Sequence, residues 1–81
     1  AAFLMEQMEL REGLAEVRQA ADRRGRLESL RQQVDEQLES RSALLRTCFS
    51  ENSGPALRQA RNLVREMQFL QKIAHEVEEL E

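Results

Sequence analysis

Apolar residues recur at helical spacing along three stretches of the chain, and two short polar stretches interrupt them. The first stretch runs from about Ala2 to Ala21 and carries Phe3, Leu10, Leu14, Val17 and Ala21 on one side. The second, from about Arg26 to Phe49, aligns Leu27, Leu30, Val34, Leu38, Leu44, Leu45, Cys48 and Phe49. In the third, from about Pro55 to Leu80, the residues Ala56, Ala60, Leu63, Met67, Leu70, Ala74 and Val77 step alternately by four and three. That rhythm is the packing seam of a helical bundle. The first interruption, Asp22-Arg23-Arg24-Gly25, reads as a stop or turn built around its glycine. In the second, Ser50 to Pro55, either Asn52 or Ser53 is placed to cap a new helix, with Pro55 in its first turn. Short connections between long helices favour antiparallel neighbours. The expected fold is therefore all-α, an antiparallel three-helix bundle running up-down-up.

Composition supports this picture and narrows the function. Leu, Glu, Arg, Gln and Ala dominate, all strong helix formers. Four Val, one Ile, one Thr and three Phe are too few for a sheet. Eighty-one residues are expected to form a single domain (1–81) with a thin core. Fifteen acids against twelve bases give a net charge of −3, which exerts no long-range pull on nucleic acid or acidic membranes. A single cysteine excludes an internal disulfide, so a reducing compartment is compatible. No apolar run approaches the ~20 residues of a membrane span. No signal peptide is expected. The chain begins inside a helical pattern, as a fragment of a longer protein would.

The first helix carries a second face. At 100° per residue, Leu4, Met5 and Met8 fall roughly opposite Phe3, Leu10, Leu14 and Val17, beside Glu12 and Glu16 and with Glu9 at the flank. Two readings fit. Clustered exposed apolar groups mark a binding surface, to which methionine adapts well and whose carboxylates would orient a basic partner. Alternatively, these residues pack against the third helix or a neighbouring domain. Phe69 poses the same choice: off the seam, it either widens the core face together with Ile73 and Leu80 or borders the Leu4–Met5–Met8 patch.

Three segments carry a family resemblance. Phe3-Leu4-Met5-Glu6-Gln7-Met8-Glu9-Leu10-Arg11-Glu12 resembles the opening of the C-terminal domain of the HscB-type J-protein co-chaperones of iron–sulfur cluster assembly. The likeness continues through Arg26-Leu27-Glu28-Ser29 and Arg65-Glu66-Met67-Gln68-Phe69-Leu70-Gln71-Lys72-Ile73, in the order and spacing of that family. The first block is the specific one. The resemblance implies an L-shaped protein. Its N-terminal J-domain stimulates ATP hydrolysis by a specialised Hsp70 of the HscA type, and its C-terminal bundle binds the IscU-type cluster scaffold and delivers it to that chaperone. The family's scaffold-binding positions match Leu4, Met5, Met8, Glu9, Glu12, Glu16 and Phe69. The J-domain with its His-Pro-Asp loop is absent from this chain, which alone is not expected to stimulate an ATPase. Met8 stands where relatives often carry Leu, a volume-conserving change. Gly13 stands where relatives can carry Glu, at a helix-propensity cost of roughly 1 kcal/mol relative to Ala.

Chemistry of other kinds finds little support. Cys48 lies on the apolar stripe of the second helix and reads as a buried thiol. His75, among Glu76, Glu78 and Glu79, reads as a surface residue, and one histidine makes no metal site. No cofactor is expected, and one cysteine is too few to ligate an iron–sulfur cluster. Glu78-Glu79 and Asp35-Glu36 lie in solvated stretches rather than in an acid–base dyad. Arg58, Arg61, Arg65 and Lys72 read as a solvated outer face, since no aromatic is interleaved for nucleic acid. Arg23, Arg24 and Arg26 form a basic turn without an assigned role. The expected protein is a non-enzymatic monomer that holds its partner with an affinity on the order of micromolar, as small transient contacts do. The bacterial cytoplasm is its expected compartment, with a mitochondrial homologue as the other candidate. The competing readings are a symmetric dimer burying Leu4, Met5 and Met8 and a module that binds a peptide helix in a groove; an enzyme centred on His75 ranks last.

Overall fold

The computed structural model describes residues 2–81; Ala1 and the side chain of Ala2 lie outside the described set. Three α-helices follow one another: α1 (Ala2–Val17), α2 (Arg23–Glu51) and α3 (Gly54–Leu80). The contacts establish the up-down-up order. Arg41 on α2 meets Glu6 near the start of α1, whereas Arg26 meets Glu16 near its end, so α1 and α2 are antiparallel. Arg41 also meets Glu66, and Arg23 meets Leu80, so α2 and α3 are antiparallel as well. The molecule is a rod of 49 × 20 × 15 Å.

The helix ends follow from local chemistry. Asn52 takes a left-handed conformation (φ 48°) and its N–H bonds the Cys48 carbonyl, closing α2. Asparagine tolerates that region better than most residues. Ser53 then caps α3, its hydroxyl accepting from Ala56 N at 3.2 Å, with Pro55 in the first turn. The α1–α2 connection departs from the sequence expectation. α1 ends at Val17 rather than Ala21: Gln19 N and Ala20 N reach back only three residues, to Glu16 and Val17, tightening the last turn. Ala21 is exposed and buries too little to hold another turn. α2 starts at Arg23 rather than Arg26, because the Asp22 carboxylate accepts the Gly25 N–H at 3.1 Å and caps the helix three residues early. Gly25 is thus not a helix stop. It belongs to the first turn of α2, where a Cβ would press into the Asp22 carboxylate.

Two clusters make the core. The larger joins all three helices through Leu10, Val17, Leu27, Leu30, Val34, Leu70, Ile73 and Val77. Gly13 lets Leu30 pack against the backbone of α1, since a Cβ there would lie 2.7 Å from a Leu30 methyl. The smaller cluster, Cys48, Ala56, Ala60 and Leu63 with Leu45 against it, joins only α2 and α3. Among the described residues, α1 covers the hairpin no further than the level of Arg41 and Glu66, and only α2 and α3 pack at the tip. Two helices bury one narrow stripe between them, and two residues assigned to the core stripe stand outside it: Leu44 is 45% and Phe49 59% exposed.

Asp22→Ala is expected to destabilise the domain by about 1 kcal/mol through loss of the cap. Gly25→Ala alone should gain nothing, because the new methyl displaces Asp22. In the Asp22→Ala background the same change should stabilise by about 1 kcal/mol, the usual Gly-to-Ala helix difference. Urea denaturation of the four proteins in this double-mutant cycle checks the coupling.

Candidate functional site

The start of α1 is fixed by one guanidinium. Arg41 Nε donates to Glu66 Oε1 at 2.8 Å, and its Nη2 donates to Glu6 Oε2 at 2.7 Å. The Arg41 side chain is only 12% exposed, and its guanidinium also lies over the Phe3 ring, 5.1 Å from the centroid. Phe3 and Phe69 meet edge to face, their ring centroids 5.8 Å apart and the rings nearly perpendicular, and the Arg11 guanidinium lies 5.3 Å from the Phe69 centroid. Arg41, Phe3, Phe69 and Arg11 therefore form a chain of contacts, a cation on each ring and an edge-to-face pair between the rings, that joins the helices.

This anchoring turns the other side of α1 outward. Leu4, Met5 and Met8 are 60%, 65% and 56% exposed, so they pack against no helix of this chain. Glu9, Glu12 and Glu16 are exposed beside them. Glu16 faces Arg26 at 3.7 Å in an open, weak pair, whereas no ion pair engages Glu9 or Glu12 among the described residues. Phe69 combines the two roles that its position left open. It is half-buried against the main core, as Leu80 is, while Ile73 is fully buried, and it reaches α1 through Phe3. Six of the seven expected positions thus share the outer side of α1, and Phe69 adjoins it with Arg11 across its face.

Sequence reasoning passed over Arg41 and Arg11. Arg41 occupies the apolar stripe between Leu38 and Leu45, and a lone charge at such a position, with Glu6 and Glu66 available, was the signal. The basic turn gains roles: Arg23 donates to the Leu80 carbonyl at 3.1 Å, steadying the end of α3, and Arg26 meets Glu16. His75 lies at the surface, 2.8 Å from Glu79, and Cys48 is buried. An open groove of about 710 Å³ lies between Arg23, Leu27 and Leu80, and one of about 350 Å³ between Arg11, Leu14 and Glu76; His75 lines neither. Among the described residues no three His, Cys, Asp or Glu side chains gather as metal ligands, and no helix is long and apolar enough to cross a membrane.

Comparison with known proteins adds a family. Residues 1–78 match the family model described as the HSCB C-terminal oligomerisation domain. The chain is also similar to the co-chaperone protein HscB homolog of Pseudoalteromonas atlantica, with 39% identity over 77 residues. That match covers 95% of this chain and 44% of the relative, so the chain spans less than half of that relative's length. No solved structure matches it.

The exposures predict how substitutions divide. Leu4→Gln, Met5→Gln and Met8→Gln should each change stability by less than about 0.5 kcal/mol, since helix propensity is similar and no core contact is lost. Leu10→Ala should cost about 3 kcal/mol. Phe69→Ala should fall between, at about 2 kcal/mol, because half of its ring is packed. Chemical denaturation followed by circular dichroism ranks them.

Proposed function

The chain belongs to the family of HscB C-terminal domains, and from that premise we propose that it holds an IscU-type iron–sulfur scaffold protein on the outer side of α1. The observation that carries the reading is the joint exposure of Leu4, Met5 and Met8 beside Glu9, Glu12 and Glu16. In this reading the three apolar side chains supply desolvated contact area, and Phe69 extends it. Glu9 and Glu12 stand ready for basic groups of the scaffold, and Glu16 joins them by leaving its weak pair with Arg26. Binding is non-covalent and needs no cofactor. Within a longer co-chaperone, an N-terminal J-domain would recruit an HscA-type Hsp70 to the bound scaffold, in the bacterial cytoplasm.

The face is small and lies on a preformed helix. Little ordering is required on binding, and little area is buried, so exchange should be fast and the affinity on the order of micromolar. A carrier that must release its cargo to another chaperone is suited by that range.

Calorimetric titration of apo scaffold into the domain should give one-to-one binding. The Leu4→Ala/Met5→Ala/Met8→Ala variant, confirmed as folded, should bind at least roughly tenfold more weakly, a loss of about 1.4 kcal/mol or more. Glu9→Gln/Glu12→Gln should mainly slow association and flatten its salt dependence. Wild-type affinity in the folded triple variant would refute the reading.

A further inference from the structure

The two edges of the outer side of α1 carry opposite charge. Glu9, Glu12 and Glu16 recur at spacings of three and four, which sets them along one edge of the helix. Glu16 faces Arg26, so that edge runs beside α2. Arg11 and Arg18 stand seven residues apart along the other edge, Arg18 one residue past the helix end. Arg11 lies over Phe69, so that edge runs beside α3. Both arginines line the α1–α3 groove together with Leu14, and Leu80, Glu76 and Glu79 line it from α3. Arg11 and Arg18 are exposed, and no ion pair engages either among the described residues. At 100° per residue, Leu4, Met8 and Ala15 run between the acidic and the basic row.

Resting on the reading of α1 as the partner surface, we propose that Arg11 and Arg18 are a second, basic contact row that takes carboxylates of the same partner and fixes which way round it sits. The bound face of the partner then has a defined make-up. It presents basic groups toward α2, opposite Glu9 and Glu12, and acidic groups toward α3, opposite Arg11 and Arg18. An apolar strip between them meets Leu4 and Met8. Rotated half a turn about the contact normal, such a partner sets like charges against each other in both rows, so the rows select one orientation. Arg11 is suited to the task by its place over Phe69. A guanidinium resting on a ring face keeps the N–H groups of its edge free for a carboxylate, so the pair forms at the border of the Phe69 contact. Glu76, across the groove, repels an acid that strays toward α3 and confines it to the α1 wall. These contacts are solvent-exposed, so each contributes modestly and is screened by salt.

The sign of the effect of charge removal tests it. Against a partner that met α1 with basic groups alone, removing nearby arginines would relieve repulsion and tighten binding. Arginines paired with carboxylates act in the opposite sense. Titrated with apo scaffold at low salt, Arg11→Gln/Arg18→Gln should bind roughly fivefold more weakly than the wild type, and the difference should shrink as salt rises. Arg11→Lys/Arg18→Lys keeps both charges and should retain most of the affinity. Arg18 touches no ring, so Arg18→Glu separates direct contact from support of Phe69: it should weaken binding roughly threefold or more in a folded protein. Arg61→Glu makes the same change of net charge on α3, beyond the Arg41–Glu66 level, and should not weaken it. Equal or tighter binding by Arg11→Gln/Arg18→Gln overturns the proposal and leaves the apolar surface standing if the Leu4→Ala/Met5→Ala/Met8→Ala variant still loses affinity. Equal weakening by Arg18→Glu and Arg61→Glu marks net charge as the cause and overturns it too. A wild type that does not bind the scaffold removes the reading of α1 and this proposal together.

Discussion

Among the described residues, Arg41 is the side chain whose ion pairs join all three helices. It bonds Glu6 on α1 and Glu66 on α3 from its own place on α2, and it lies over Phe3. The geometry of α1 depends on it because that helix has little else at its N-terminal end. Among the described residues of α1, only Leu10 and Val17 are fully buried, contributing roughly 2 kcal/mol each. The first two turns rely on the guanidinium and on the Phe3–Phe69 edge contact. Removing a carboxylate from Arg41 strands a nearly buried cation, while an apolar replacement of the whole group is tolerated better. The arrangement therefore specifies how α1 sits more than how stable the bundle is.

Position is what the functional reading requires. Leu4, Met5 and Met8 point outward because Phe3, Glu6 and Leu10 are held inward on the same helix. A surface preformed in this way binds without first ordering itself, which is how a few side chains reach useful affinity. The same exposure makes the surface available to a complementary partner without any conformational change.

Much of this was legible along the chain. The alternation of four and three in α3 marks its seam, and Ala56, Ala60, Leu63, Leu70 and Val77 are all buried. Ser53 and Pro55 mark the start of that helix. The off-seam placement of Leu4, Met5 and Met8 left exposure and packing against another helix both open, and only the structure separates the two. What periodicity cannot convey is where a neighbouring helix ends. Leu44 and Phe49 obey the period of α2, yet no described residue of α1 covers that level, and they are exposed. Nor does it convey side-chain reach. Asp22 starts α2 three residues early by bonding Gly25, and Arg41 enters an apolar stripe because Glu6 and Glu66 come from far away in sequence to meet it.

The most direct test of the central claim is amide hydrogen exchange along α1 in the wild type and in Arg41→Leu. If Arg41 holds the N-terminal half of α1 in place, amides from Met8 to Glu12 should exchange roughly tenfold faster or more in the variant, while those of Leu30–Val34 and Leu70–Ala74 keep most of their protection. Unchanged protection in α1, with the variant folded, would mean that apolar packing alone positions the site and would contradict the role assigned to Arg41.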